Sequence, residues 1–272
     1  MKVEACWAIY KKEHLSQAID QKRANIAWGH LKPYFGTLPV SQVTQGKVNS
    51  YLEHRQASSS TKRRELMVLK AAINWCYKTG HIPSVPYVQV PKESAPKVSW
   101  LDKDEIKKLI LAAQKFPDTA LFVNLMLSTG QRPGAVLGLQ WEQVDMKNMV
   151  IDFNNHLDPL QARRKGRGIV PIGSGLENAL RPLYRNSGPV LDKTGFAYRW
   201  KKVVTDAGLQ DVTPHVLRHS VATNLCRAGV PLIEISKLLG HKTTAITEKV
   251  YITFTPDYCK NAVDTMQAVI NG

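Results

Sequence analysis

The chain has 272 residues, of which 43% are hydrophobic and 22% are charged, and its formal net charge is +15. This length holds one large domain or two ordinary ones, and the composition is that of a folded globular protein. Because no run of about eighteen apolar residues occurs, the sequence excludes a membrane-spanning helix. The excess of cations favours a polyanionic partner, and nucleic acid is the first candidate. A basic surface that serves only solubility is the alternative.

The four cysteines lie far apart and form no C-x-x-C pair; they are Cys6, Cys76, Cys226 and Cys259. Zinc sites and disulfide frameworks use closer or paired spacings, so we expect reduced thiols and no metal. No charged segment followed by an apolar segment opens the chain as a signal peptide would. We therefore expect a cytoplasmic protein without a membrane partner.

Residues 91–99 are polar, contain Pro91 and Pro96, and lack periodicity, which predicts an extended linker. The linker separates a first domain over residues 1–90 from a second over 100–272. In the first domain, apolar residues recur at spacings of three and four in three segments. One segment leads to Phe35, one starts near Ser41, and one starts near Ser60. This pattern predicts a small all-helical domain.

The first domain is itself basic, with thirteen Lys and Arg against five Asp and Glu. Its third predicted helix opens with Ser58-Ser59-Ser60-Thr61-Lys62-Arg63-Arg64, in which serine can cap the helix and three cations follow in the first turns. Cations at a helix N-terminus oppose the macrodipole, so they need a compensating partner. We predict that these three residues contact DNA phosphates; a solvated helix start is the alternative.

Arg132 follows an almost wholly apolar segment, Ala120 to Ser128, that predicts a central core helix. A second helix is predicted before it, where Asp102 and Glu105 form a capping box. Arginine is rarely buried without a partner. Arg132 is therefore either an anion ligand or a residue that satisfies the carbonyl groups at the end of the helix.

Two short strands are predicted at residues 149–153 and 168–172. Between them lie four cations around Gly166, namely Arg163, Arg164, Lys165 and Arg167. A hairpin tip this basic is typical of nucleic-acid contact, and a solvated surface hairpin is the alternative.

A further helix is predicted to start at Thr213 and Pro214, with threonine as cap and proline in the first turn. It carries His215 and Arg218, which lie three residues apart and so point to one side. An amphipathic helix over 231–239 follows and ends before His241. The two helices also resemble a helix-turn-helix, and an ordinary polar face is the alternative for the histidine–arginine pair.

Four features follow one another in a fixed order. They are Thr129-Gly130-Gln131-Arg132, the basic hairpin, His215-x-x-Arg218, and Leu239-Gly240-His241 with Tyr251 ten residues later. This ordered set resembles the tyrosine recombinases, the phage-type integrases, over about residues 98–260. Residues 1–90 are similar to the family's core-binding domain. The resemblance implies a mainly α fold with a small β-sheet or hairpin (α+β): a helical, SAM-like core-binding domain and a catalytic domain with a C-terminal helix.

The resemblance implies a catalytic set of Arg132, Lys165, His215, Arg218, His241 and Tyr251. Arginine offers two phosphate oxygens a planar fork, which stabilises the charge that develops on attack. Ionising a tyrosine of pKa about 10 at neutral pH costs roughly 4 kcal/mol, so His215 is expected to exchange the proton. His241 would donate to a phosphate oxygen. Lys165 would protonate the leaving 5′ oxygen, since arginine has too high a pKa for that role.

Three positions of the implied site either differ from the family pattern or have an alternative candidate nearby. Ala135 stands where many family members carry an acidic residue, and Glu142 or Asp145 is the candidate replacement. Tyr258 is a rival nucleophile, but it lies seventeen residues after His241, where Tyr251 lies ten. His219, next to Arg218, is interpreted as structural.

By this resemblance the chain is a site-specific DNA recombinase, an integrase of a phage or other mobile element. It cuts and rejoins double-stranded DNA through a 3′-phosphotyrosyl intermediate, without cofactor or metal, as a nucleoid-associated homotetramer. Accessory DNA-bending or excisionase proteins are candidate partners. The segment 259–270 is expected to form a helix that docks on a neighbouring protomer or packs on its own domain. The alternatives are a type IB topoisomerase-like nicking–closing enzyme and a non-catalytic DNA-binding protein.

Overall fold

The computed structural model describes residues 1–17, 21–92, 99–154, 168–241, 243–244 and 266–270. The chain falls into two compact units, Met1–Pro96 and Lys97–Gly272. Among the helices of the described ranges, none combines the length and the apolar character that a membrane span requires.

The first unit is helical throughout its described elements. Its helices are α1 (Val3–Glu13), α2 (Gln21–Phe35), α3 (Gln45–His54) and α4 (Ser59–Lys78). Short 3-10 turns occur at Leu15–Gln17 and Val40–Gln42. The core forms where α4 packs against α1 and α2, through apolar side chains such as Leu31, Phe35, Leu66, Leu69 and Ile73.

The predicted start of the second helix, near Ser41, is wrong. Residues Val40–Gln42 form only a 3-10 turn, and α3 begins at Gln45. The reason is local: the Thr44 hydroxyl accepts a hydrogen bond from the Lys47 backbone N–H at 3.4 Å and so caps the helix. The third helix begins as predicted, because Ser58 caps α4 in the same way.

The second unit contains seven helices in its main described part. They are α5 (Lys103–Ala113), α6 (Pro117–Thr129), α7 (Pro133–Val136), α8 (Ser174–Leu180), α9 (Phe196–Asp206), α10 (Pro214–Arg227) and α11 (Leu232–Leu239). Residues 266–270 are also helical. The capping box of Asp102 and Glu105 is present at the start of α5, as predicted. Pro214 stands in the first turn of α10, but the Thr213 side chain makes no capping hydrogen bond.

A small antiparallel sheet in the order β1-β2-β3 accompanies these helices. Its strands are β1 (Val144–Asp145), β2 (Val150–Asp152) and β3 (Ile169–Pro171), and Ile151 pairs with Val170. The last two strands agree with the prediction, whereas β1 was not predicted. A mainly α chain with a small sheet is therefore confirmed as the fold class.

Helix α6 is the centre of the second unit, and its end fixes where Arg132 begins. It is buried through Leu125 and Met126, and Gly130 ends it at a φ of 59°, a left-handed conformation that favours glycine. A Cβ atom on Gly130 would lie 2.8 Å from Leu239 Cδ2 and 3.2 Å from Val221 Cγ1. The glycine thus allows the end of α6 to approach both α10 and α11.

Candidate active site

Arg132 lies directly after this turn, as the residue that caps α7 at its N-terminus. The side chain is half-buried, and burial lowers the pKa of its guanidinium. Burial disfavours an arginine's charged form, and a bound anion favours it. Arg132 is therefore suited to bind an anion.

Arg218 is the most buried charged group of the site. It lies on α10 with 6% of its surface exposed. Its Nη1 donates to the Gly130 carbonyl oxygen at 2.9 Å, and its Nη2 contacts His241 Nε2 at 2.7 Å. One guanidinium thus joins the end of α6 to His241, two residues after the end of α11.

His241 is positioned by the end of α11. Gly240 ends that helix in a left-handed conformation with φ of 65°, and the His241 backbone N–H donates to the Ser236 carbonyl at 2.9 Å. Burial, and after it the positive charges of Arg218 and Arg132, lower the pKa of His241 to about 4. The ring is therefore neutral at neutral pH.

The contact with Arg218 also determines the tautomer of His241. Arginine can only donate, so His241 Nε2 accepts and the ring proton lies on Nδ1. The sequence predicted that His241 donates a hydrogen bond to a phosphate oxygen. Donation from Nε2 requires that the pair with Arg218 opens and that Nε2 gains a proton.

His215 stands on α10, one turn before Arg218. The residue is exposed, and the pKa of its imidazole is lowered first by partial burial and then by the charges of Arg218 and Arg132. Because His215 and Arg218 lie three residues apart on one helix, both face the same side of α10. A neutral imidazole can accept a proton, which suits a general base.

The structure thus brings together four of the six predicted catalytic residues, Arg132, His215, Arg218 and His241, from three separate segments. Lys165 and Tyr251 lie outside the described residues. The hairpin cations Arg163, Arg164 and Arg167 lie outside them as well. Where the chain is described, no group of three His, Cys, Asp or Glu side chains could hold a metal ion.

The two carboxylates considered as replacements for an acidic residue at position 135 are occupied elsewhere. Ala135 is buried with 3% exposed. Glu142 accepts from the Gly188 backbone N–H at 3.3 Å, and Asp145 accepts from the N–H groups of Lys147 and Asn148. Arg218 is instead oriented by a backbone carbonyl and an imidazole.

Acidification from pH 6.5 to 4 is expected to lower the free energy of unfolding by about 3 kcal/mol through His241. Its pKa is about 4 in the folded chain and 6.5 in the unfolded chain. The unfolded chain therefore takes up the proton first as the pH falls. The stabilisation is complete above pH 6.5 and is lost progressively down to about pH 4.

Urea unfolding at a series of pH values measures this effect. His241→Asn removes the titrating ring, so the variant should lose stability less steeply than the wild type over the same range. Equal slopes for the two proteins would show that His241 is not held in its neutral form.

The three cations predicted to contact DNA in the first unit have different surroundings. Lys62 Nζ donates to the Leu52 carbonyl at 2.6 Å, and Arg63 Nη1 donates to the Pro91 carbonyl at 2.6 Å. Both side chains therefore hold backbone carbonyls of their own unit. Arg64 is exposed.

Arg64 lines a cavity of about 230 Å³ that is rich in cations. The other lining residues are Arg23, Ile26, Ala27, His30, Arg55, Thr61 and Glu65. Glu65 is buried and is bound by Arg55 Nη2 at 2.8 Å and by the Tyr51 hydroxyl at 2.6 Å. Since Arg55 compensates this carboxylate, the exposed Arg64 contributes a positive charge to the cavity. The sequence did not predict this cavity, because its residues come from α2, α4 and the segment between α3 and α4.

Comparison with known proteins agrees with the candidate active site of the second unit. The model of the phage integrase family matches residues 99–256. The tyrosine recombinase XerC-like protein of Caldanaerobacter subterraneus subsp. tengcongensis is 25% identical, with 88% of this chain and 75% of that protein covered. Tyrosine recombinase XerC of Xanthomonas axonopodis pv. citri is 27% identical, with 72% of this chain and 68% of that protein covered.

A solved structure shows the same fold. The integrase of transposon Tn1549, in complex with circular intermediate DNA, superposes with a TM-score of 0.75 at 17% identity, over 97% of this chain and 99% of that chain. The family match extends over more than half of the chain and includes the segments that carry Arg132, Arg218 and His241. The chain therefore belongs to the phage integrase family, the tyrosine recombinases.

Proposed function

We propose that this protein is a site-specific DNA recombinase that uses Tyr251 as its nucleophile. The observation that carries the proposal is the convergence of Arg132, His215, Arg218 and His241, linked through the contacts of Arg218. Two guanidinium groups and two neutral imidazoles form a site that can bind a phosphodiester and exchange a proton with the attacking group.

The reaction follows from these groups. Arg132 and Arg218 bind the nonbridging oxygens of the scissile phosphate and stabilise the charge that grows on them during attack. His215, neutral because its pKa is lowered, accepts the phenol proton of Tyr251. The tyrosine oxygen bonds to phosphorus, the bond to the 5′ oxygen breaks, and Lys165 protonates that oxygen.

The products of this step are a 3′-phosphotyrosyl bond and a free 5′-hydroxyl group. A 5′-hydroxyl of a partner strand attacks the phosphotyrosine and reverses the step. The number of phosphoester bonds is conserved, so the exchange needs no nucleotide hydrolysis.

Recombination between two duplexes requires several protomers, and we propose a homotetramer on DNA. Residues 266–270 support an interface: Met266, Val269 and Ile270 are 58%, 70% and 69% exposed. A short helix with exposed apolar side chains gains stability from a partner surface. A topoisomerase-like enzyme would act as a monomer, so the mass of the DNA complex in solution separates the two functions.

We further propose that the protein integrates or excises a phage genome or other mobile element in the cytoplasm, with accessory DNA-bending or excisionase proteins. The Tn1549 integrase, whose fold this chain shares, was solved in complex with circular intermediate DNA. The net charge of +15 favours association with DNA.

The test begins with selection of bound duplexes from a random-sequence library, which supplies the unknown site. A duplex of that sequence, nicked so that the cleaved strand loses a short fragment, is then incubated with the protein. A covalent protein–DNA complex on a denaturing gel is the expected result. If the protein binds the selected duplex tightly and no covalent complex forms, it is a DNA-binding protein without catalytic activity.

Arg64→Ala is expected to weaken binding of all duplexes about tenfold and to lower the salt dependence by about one counterion, because the exposed guanidinium contacts a phosphate. Fluorescence anisotropy at several salt concentrations measures both quantities. Lys11→Ala is the matched control, since this exposed cation lies on α1, away from the cavity. Equal effects of the two changes would show that general charge, and not the cavity, attracts DNA.

A further inference from the structure

Gln131 stands between the glycine whose carbonyl binds Arg218 and the candidate catalytic Arg132, and it is fully buried with 0% exposed. Its Nε2 donates to the Leu238 carbonyl oxygen at 2.6 Å. Because a carbonyl oxygen can only accept, this contact also determines which end of the amide faces Leu238. The side chain thus connects the turn after α6 to the last turn of α11.

This contact supplies a partner that the end of α11 needs. The last carbonyl groups of a helix have no partner within the helix. The backbone N–H groups of the two residues after α11 donate to the carbonyl oxygens of Ser236 and Lys237. The next carbonyl along the helix, that of Leu238, is the one that Gln131 binds. The amide therefore caps the turn of helix that leads into His241.

The hydrogen bond of Gln131 also completes a closed ring of contacts around the site. Arg218 Nη1 donates to the Gly130 carbonyl at 2.9 Å, and Arg218 Nη2 contacts His241 Nε2 at 2.7 Å. Consecutive residues thus hold both partners of this pair. The Gly130 backbone holds Arg218, and the Gln131 side chain holds the end of the helix that precedes His241.

Packing alone does not account for a glutamine at this position. Its other amide atom, Gln131 Oε1, is buried and has no hydrogen-bond partner within the described ranges. Burial of an unpaired acceptor is unfavourable, so an apolar side chain of similar size would pack here at a lower cost. The bond from Nε2 to Leu238 is what an apolar side chain could not supply.

We propose that Gln131 is a positioning residue that holds the end of α11 so that His241 stays paired with Arg218. The inference rests on the proposed function, since the pair belongs to the site that binds the scissile phosphate. When the bond to Leu238 is removed, the end of α11 loses its link to the turn after α6, and the imidazole separates from the guanidinium. Cleavage then loses the contribution of His241.

Titration of the His241 imidazole tests this role without any reaction. The charged and titratable groups that act on the ring are Arg132, Arg218 and His219, and together with burial they hold its pKa at about 4. NMR of the protein with labelled histidines follows the ring, and His241→Asn identifies its resonances. In the wild type these resonances should stay constant between about pH 5.5 and pH 8, because the ring remains neutral.

Gln131→Met keeps a similar side-chain length and removes the donor. A ring that leaves Arg218 and becomes more exposed regains a pKa near the ordinary 6.5, so His241 should now titrate within this range. Gln131→Asn shortens the amide side chain by one methylene group and should give the same shift, even if Gln131→Met folds poorly.

Gln143→Met is the matched control. Gln143 is also buried, and its Nε2 donates at 3.2 Å to the carbonyl of Asp152, which belongs to β2 and not to α11. The change removes the same kind of hydrogen bond and destabilises the same unit. The titration of His241 should nevertheless be that of the wild type.

Cleavage of the nicked duplex relates this role to the reaction. Gln131→Met should slow single-turnover cleavage about 10- to 100-fold, because a small displacement of a catalytic group has an effect of this size. In the His241→Asn background the same change should slow cleavage by less than about threefold, since the group that Gln131 positions is already absent.

Three results would overturn the positioning role. They are an unchanged His241 titration in both Gln131 variants, the same shift in Gln143→Met, and a full loss of cleavage rate that persists in the His241→Asn background. If the wild-type protein forms no covalent complex with its selected duplex, the proposed function is overturned instead, and the titration still decides whether Gln131 positions His241.

Discussion

Tyr251→Phe is expected to abolish the covalent complex with DNA, with the cleavage rate lowered about 1,000-fold or more. The change removes one oxygen atom and keeps the ring, so it removes the nucleophile while sparing the fold. DNA affinity should stay within about twofold, because phosphate contacts by cations dominate binding. A denaturing gel with the nicked duplex measures the covalent complex, and anisotropy measures affinity.

Tyr258→Phe is the control for this result. Tyr258 lies seven residues after Tyr251 and carries the same hydroxyl group. We expect this variant to cleave at the wild-type rate. The reverse pattern, with activity lost in Tyr258→Phe and kept in Tyr251→Phe, would transfer the nucleophile to the later tyrosine.

The elements that could be predicted are those whose ends are marked by start or stop signals in the local sequence. The capping box at Asp102, the left-handed glycines at positions 130 and 240, and the proline in the first turn of α10 all act within one turn of the helix they delimit. The helix Phe196–Asp206 was not predicted. It starts after Gly195 without a side-chain cap, and its buried residues Trp200 and Val203 are recognisable only from the core that they join.

The members of the candidate site could be predicted, but their contacts could not. Arg218 binds Gly130 across 88 residues of sequence, and Gln131 binds Leu238 across 107. No periodic pattern encodes such a contact. The pair between Arg218 and His241, and with it the tautomer of the imidazole, follows only from the folded chain.

For the same reason, the sequence did not predict which contacts the cations of the first unit make. The sequence places Lys62, Arg63 and Arg64 in one basic run, yet two of them hold backbone carbonyls and the third lines a cavity with Arg23. A run of like charges does not reveal which side chain reaches back to its own backbone. That distinction depends on where Leu52, in the last turn of α3, and Pro91 lie in the folded unit.

Arg218→Lys is expected to slow cleavage about 1,000-fold, which corresponds to roughly 4 kcal/mol of transition-state stabilisation. Lysine keeps the charge, so the change isolates the planar fork of the guanidinium. A single ammonium group cannot contact Gly130, His241 and a phosphate in the geometry that Arg218 uses. Charge-assisted hydrogen bonds contribute about 1.5–3 kcal/mol each, so the loss of two accounts for the effect.

Arg227→Lys provides the matched control, because Arg227 lies on the same helix and its guanidinium stands 5.0 Å from the centre of the Trp100 ring. This change should leave cleavage within about twofold of the wild type, since a cation over an aromatic ring tolerates either charged group. Single-turnover cleavage of the nicked duplex, at saturating protein, separates the chemical step from binding. Cleavage by Arg218→Lys within tenfold of the wild-type rate would show that the arginine orients the site through its charge alone, and the phosphate clamp would then have to be assigned to Arg132.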